Sequence, residues 1–205
     1  DKEYILKGSY FNFDNLLENI LNNENESSNV LDINNLLKID INKVGIDKDN
    51  NLSNLKGTLF FKKQQIVRGK LEGFFSEDEK LKLTVNTNGN NKITTLFLDR
   101  AKPIIRRYKF IKGFEEGELD FYSSSNGEET SSTLKIYNFK LKELPGLTKV
   151  LTLASLQGIA DTLSGEGIRF DEFEMNFRNK KDLMTIDEIY AIGPAISVLM
   201  NGYIE

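Results

Sequence analysis

The 205-residue chain contains no histidine, no cysteine and no tryptophan, and only three prolines. Without His or Cys it has no imidazole-based triad, no thiol nucleophile, no haem or iron–sulfur ligation and no structural zinc site. The missing Trp weakens a sugar-binding reading, because such faces favour exposed aromatic rings. Positive charge is also short: 27 Lys and Arg stand against 31 Asp and Glu, a net charge of −4. That balance argues against a general nucleic-acid binder, which needs a strongly basic surface to displace counterions from phosphates. Only weak local basic patches are compatible with it. The chain opens on Asp1 with no cationic, apolar leader, so it reads as a piece of a longer protein whose signal or anchor lies outside it.

What is present is an ordinary folding composition, 39% hydrophobic and 28% charged. No shift in composition divides the chain, and a single domain over residues 1–205 is expected. Strand signals dominate. Leu37, Ile39 and Ile41, then Leu81, Leu83 and Val85, Leu119 and Phe121, Leu134 and Ile136, and Phe173, Met175 and Phe177 each recur with a period of two. Turn-forming clusters separate them at Asp47–Asn51, Asn86–Asn91, Ser123–Gly127 and Asn179–Asp182. The economical architecture is a mainly β fold, a curved antiparallel meander forming an elongated groove.

Two helices are expected beside the strands. Asp14 can cap a short one carrying Leu16, Leu17, Ile20 and Leu21, which ends in the polar run Asn22–Asn29. The second, within Pro145–Ser164, is long and apolar nearly all round. Lys149, Gln157 and Asp161 interrupt a length barely sufficient for a membrane span, so a helix packed on the sheet is the expectation, with a mobile plug for a lipid groove as the competing role.

A small motif recurs in Leu6-Lys7-Gly8, Leu55-Lys56-Gly57 and Leu71-Glu72-Gly73. Glycine inside a strand marks a bulge or a close backbone approach, whereas the plainer reading makes these strand starts after turns. Other signals carry less. Asp47–Asn51 begins like a calcium loop, but Leu52 and Thr58 stand where Gly and a bidentate Glu are required. Gly165-Glu166-Gly167 lacks a third glycine and suits a helix exit better than a phosphate cradle. Arg106-Arg107-Tyr108-Lys109-Phe110 mixes cations with aromatics, and a charged strand face accounts for it. Glu115, Glu116 and Glu118 offer carboxylates for acid–base work, yet their spacing does not select them.

The order of these features also resembles a known family. An amphipathic strand (Thr133–Leu141), a Pro145-Gly146 helix start, a Leu-rich helix, the exit Ser164-Gly165-Glu166-Gly167-Ile168-Arg169-Phe170 and a close on Asn201-Gly202-Tyr203-Ile204 resemble the C-terminal part of AsmA-like proteins. Within that group the likeness is to the large envelope proteins carrying the domain called DUF3971. It covers residues 132–205 best and extends upstream through Leu6-Lys7-Gly8 and Phe13-Asp14-Asn15-Leu16-Leu17, where Phe13 and Asn15 depart from the family pattern. The resemblance implies a periplasmic protein attached to the inner membrane by an anchor outside this piece. It further implies an apolar β-sheet groove that carries phospholipid between inner and outer membranes, with no enzymatic activity, cofactor or metal.

Alternation and resemblance together nominate Leu119, Phe121, Leu134, Ile136, Leu147, Leu151, Phe173, Met175, Phe177, Val198 and Met200 as candidates to line that groove. Phospholipid or acyl chains are the expected partner; nucleic acid is not. The competing readings are a non-catalytic scaffold of the envelope, a carbohydrate-binding or adhesive β-domain, and a carboxylate-only hydrolase.

Overall fold

The computed structural model describes residues 3–13, 35–47, 49–62, 65–105, 113–142, 165, 167–181, 183–194 and 196–204. Strands hold 79% of them, so the protein is mainly β. The chain divides into two compact units, residues 1–96 and 97–205.

In the first unit β1 (Glu3–Asn12), β2 (Leu36–Gly45), β3 (Asn51–Lys62), β4 (Gln65–Phe74), β5 (Lys80–Asn88) and most of β6 (Asn91–Leu98) lie side by side in chain order. The pairs from β2 to β5 are antiparallel. β1 and β2 are parallel, so the sheet is mixed, a departure at this one pair from the expected antiparallel meander. Parallel neighbours need a crossover of roughly a dozen residues or more, and residues 13–35 supply that length between them.

Period-two spacing puts Leu37, Ile39 and Ile41 on one side of β2, where all three are buried, and Leu81, Leu83 and Val85 on one side of β5. The Leu-charged-Gly motifs fall inside β1, β3 and β4, not at their starts. In β3 and β4 the reason is a close approach of backbones. Gly57 sits opposite Leu71, and a Cβ built on it would lie 1.9 Å from the carbonyl oxygen of Lys70. Its φ of 154° is equally unsuited to an L side chain. The register of β3 against β4 shifts on both sides of this segment, between Ser53 and Lys56 and between Phe60 and Phe61. The turn at Asp47 is closed by its own carboxylate, which accepts the backbone N–H of Asp49 at 2.8 Å and of Asn50 at 2.7 Å. Those bonds make it a side-chain-capped turn.

The second unit holds the end of β6, α1 (Lys102–Ile105), β7 (Phe114–Ser125), β8 (Glu129–Leu141), β9 (Ile168–Lys180), β10 (Leu183–Ile192) and β11 (Ser197–Ile204). β7 to β11 form an antiparallel meander in chain order. Its core at one end is a stack of three phenylalanines. Phe139 lies between Phe114 and Phe170 with ring centroids 5.4 and 5.2 Å apart, and all three are buried. Beside them Leu98, Ala101, Pro103 and Ile105 are buried as well, and α1 packs on β7.

Among the described residues α1 is the only helix. Both expected helices, from Asp14 onward and within Pro145–Ser164, lie outside the described residues, as does the Arg106–Phe110 run. Two outcomes test the packing, each read by urea unfolding. Gly57→Ala is expected to destabilise by about 2–4 kcal/mol, since the backbone of β4 must move to admit the methyl group. Phe139→Ala is expected to cost about 3–5 kcal/mol by opening a cavity between two rings.

Candidate functional site

Whether the nominated groove residues share a surface is a question of register, because residues facing each other across a strand pair project to the same side. Leu119 faces Ile136, which faces Phe173, then Ala191, then Val198. The adjacent row runs Phe121, Leu134, Met175, Ile189, Met200. A third runs Ser123, Ser132, Phe177, Ile186, Gly202. The nine described candidates thus lie on one face of the second unit, in three consecutive rows across five strands, with no charged residue among the fifteen positions. Leu147 and Leu151 lie outside the described residues.

Exposure on that face is greatest at the last strand, while Ala191 of β10 is buried. Leu119 and Ile136 are buried, Phe121, Leu134, Phe173, Met175, Phe177 and Val198 are half-buried, and Met200 is 53% exposed. The third row ends in a polar step, where buried Ser132 and Ser123 meet hydroxyl to hydroxyl at 3.2 Å. A pair satisfied by itself avoids the cost of an unpartnered buried hydroxyl.

Ile186, Ile189 and Ala191 of β10 complete the rows, and sequence reading missed them. The apolar positions Ile186 and Ile189 are three apart, and the register of β10 shifts between them against both neighbours. A bulge at this place conceals the two-residue period. A similar break separates the three rows from the phenylalanine stack. Phe170 and Phe173, or Phe139 and Ile136, are three apart, and near the break Glu116, Gly117 and Asn138 take positive φ values of 65°, 85° and 53°.

Across β7 to β9 the opposite face is polar and tied together, whereas Ile192 of β10 and Leu199 of β11 are exposed apolar groups on it. Lys135 donates to Glu174 at 2.6 Å. The Tyr190 hydroxyl donates towards Glu174 at 2.8 Å and Glu172 at 3.1 Å, and Asn176 donates to Glu174 at 2.7 Å. The Lys135 ammonium, hydrogen-bonded to it, holds the Glu174 carboxyl below the usual carboxylate range against the cost of desolvation. The two carboxylates raise the Tyr190 phenol well above its ordinary value, first through the hydrogen bond to Glu174. Asp120 is raised chiefly by desolvation, with the Asp99 charge adding to it.

The carboxylates nominated for acid–base work are engaged elsewhere. Glu115 is paired with Lys102 and lies 3.9 Å from Lys142, while Glu116 accepts from Lys140 at 2.7 Å. Glu118 faces Tyr137 on the polar side. Among the described residues no group of His, Cys, Asp and Glu is arranged to hold a metal ion, and no helix is long and apolar enough to cross a membrane. Comparison of the chain with family models, with curated proteins and with solved structures gives no match. The AsmA-like resemblance therefore rests on the sequence features that carry it.

Because Glu174 is depressed in the folded protein, its contribution to stability is present above the unfolded value of 4.5 and lost as pH falls through the folded value. Glu174→Gln is expected to flatten the acid limb of stability below about pH 4.5, as read by thermal melts across pH. An unchanged acid limb would show that the pair with Lys135 contributes nothing to it.

Proposed function

We propose that the second unit offers its uncharged face to the acyl chains of phospholipid, as a segment of a periplasmic AsmA-like protein attached to the inner membrane and serving lipid transport between the two membranes. The observation that supports this most directly is the set of three cross-strand rows without a single charge. A water-exposed antiparallel face ordinarily alternates into polar groups, so a wholly uncharged one needs an apolar cover. Each methylene of a bound chain removed from water contributes about 0.8 kcal/mol, and an apolar face without charges accepts acyl chains without selecting a head group. The partial exposure of Met175, Phe177, Ile186 and Ile189 and the exposure of Met200 make these rows the place where a chain would lie.

The reading is non-enzymatic: such a face supplies shelter from water and has no reacting group. A scaffold of the cell envelope is the second reading, favoured by the near-complete burial of Leu119 and Ile136, since a face already covered by protein has no room for lipid. Photo-crosslinking distinguishes the two. A diazirine side chain at Phe121 or Met175 is expected to label with phospholipid, while one at Lys135, on the other face, is not. Equal labelling at all three positions, or none at the first two, would support the scaffold.

A further inference from the structure

The polar face of the first unit has a composition that the acidic whole conceals. Three adjacent cross-strand rows run Glu3, Leu36, Phe60, Arg68, then Ile5, Lys38, Thr58, Lys70, Thr84, then Lys7, Asp40, Lys56, Glu72, Lys82. On this one face six cations stand against three carboxylates, an excess of three positive charges in a chain whose net charge is −4. All six cations are exposed. Asp40 is shared between Lys7 at 3.8 Å and Lys56 at 3.6 Å, and Glu3 is paired with Lys38 at 2.8 Å. One excess charge therefore lies on the Lys7–Asp40–Lys56 group, and the other two lie on β4 and β5, where Arg68, Lys70 and Lys82 stand with Glu72 and none of the three cations is in an ion pair among the described residues. Apolar groups stand among the charges: Ile5 is 67% exposed, and Phe60 is half-buried with the Arg68 guanidinium 5.9 Å from its ring centroid.

From this geometry we infer that the first unit docks through its β1–β5 polar face onto an anionic phospholipid surface. Charges farther away than a Debye length of about 8–10 Å are screened, so a surface in contact with this face meets the local excess and not the acidic total. From β1 to β5 the face extends about 19 Å, four inter-strand steps, a size suited to a planar array of head groups. Five of the six cations are lysines, compact charges without the bidentate fork that reads bases or clamps a single phosphate. A face about 19 Å across is too broad to enter a major groove about 12 Å wide, and Phe60, already under Arg68, is the one aromatic ring in the three rows for a base to stack on. Ile5 and Phe60 are suited to the interfacial zone between head groups and acyl chains. This inference concerns a different unit and a different chemistry from the acyl-chain reading and does not rest on it.

The test is co-sedimentation of the full 205-residue chain with vesicles of phosphatidylcholine alone and of phosphatidylcholine mixed with phosphatidylglycerol. Binding is expected to be stronger to the mixed vesicles, and this preference is expected to fall as salt is raised. The triple variant Arg68→Gln, Lys70→Gln, Lys82→Gln is expected to lower the partition coefficient roughly a hundredfold. Glu72→Gln, which raises the local excess, is expected to strengthen binding several-fold and guards against misreading a folding defect. Lys140→Gln, which removes a cation of the second unit that is paired with Glu116, is expected to leave vesicle binding unchanged, so a loss in the triple variant is assigned to the β1–β5 face and not to net charge. Equal binding to neutral vesicles, a triple variant that binds like the parent, or tighter binding of an oligonucleotide than of mixed vesicles at the same salt would overturn the inference.

Discussion

Strand register is the constraint on which the rest of the structure depends. A strand places successive side chains on opposite faces, so a slip of one residue would carry every apolar group from the sheltered side to water. In β7 to β9 the pairing fixes Leu119 against Ile136 and Ile136 against Phe173, and the same pairing puts Lys135 against Glu174 on the other side. The apolar rows and the polar network are therefore one decision. Each makes the alternative register costly, the first by exposing large apolar groups and the second by burying charges without partners.

The places where the alternation breaks are as informative as the places where it holds. Asn138 in β8 and the pair Glu116 and Gly117 in β7 adopt positive φ, and there the apolar spacing departs from two. That change lets the phenylalanine stack of Phe114, Phe139 and Phe170 sit at one end of strands whose other end carries the uncharged rows. In the first unit Gly57 performs a comparable service by admitting the backbone of β4 to within a distance that no side chain would allow. Local backbone departures of this kind decide where one apolar surface ends and another begins.

The two proposals use opposite properties of the sheets. An uncharged face in the second unit is suited to acyl chains, whose recognition is by exclusion of water, whereas a cationic face in the first unit is suited to head groups, whose recognition is by charge. The chemistry of a phospholipid contains both. Among the described residues the carboxylates that stand close together are paired with lysines or accept a hydrogen bond from the Tyr190 hydroxyl.

By itself the sequence determined the fold class and most of the strands. Period-two runs such as Leu37-Ile39-Ile41 and Leu81-Leu83-Val85 declare a strand and its buried side together, and the turn clusters at Asp47, Ser123 and Asn179 sit where strands reverse. The absence of His and Cys was equally legible. What the sequence left open is everything that depends on which strand lies beside which. The parallel pairing of β1 with β2 has no local signal, because a crossover between parallel strands can carry any soluble sequence. That the nine described groove candidates share one face followed only from the cross-strand pairing, which also recruited Ile186, Ile189 and Ala191 from a strand whose bulge hides its period. The basic face of the first unit was invisible for the same reason: Lys7, Lys38, Lys56, Lys70 and Lys82 are scattered along the chain and become neighbours only when strands pair. Hydrophobic period is a property of a few consecutive residues, whereas a surface is made of residues from several strands, and tertiary structure alone brings those together.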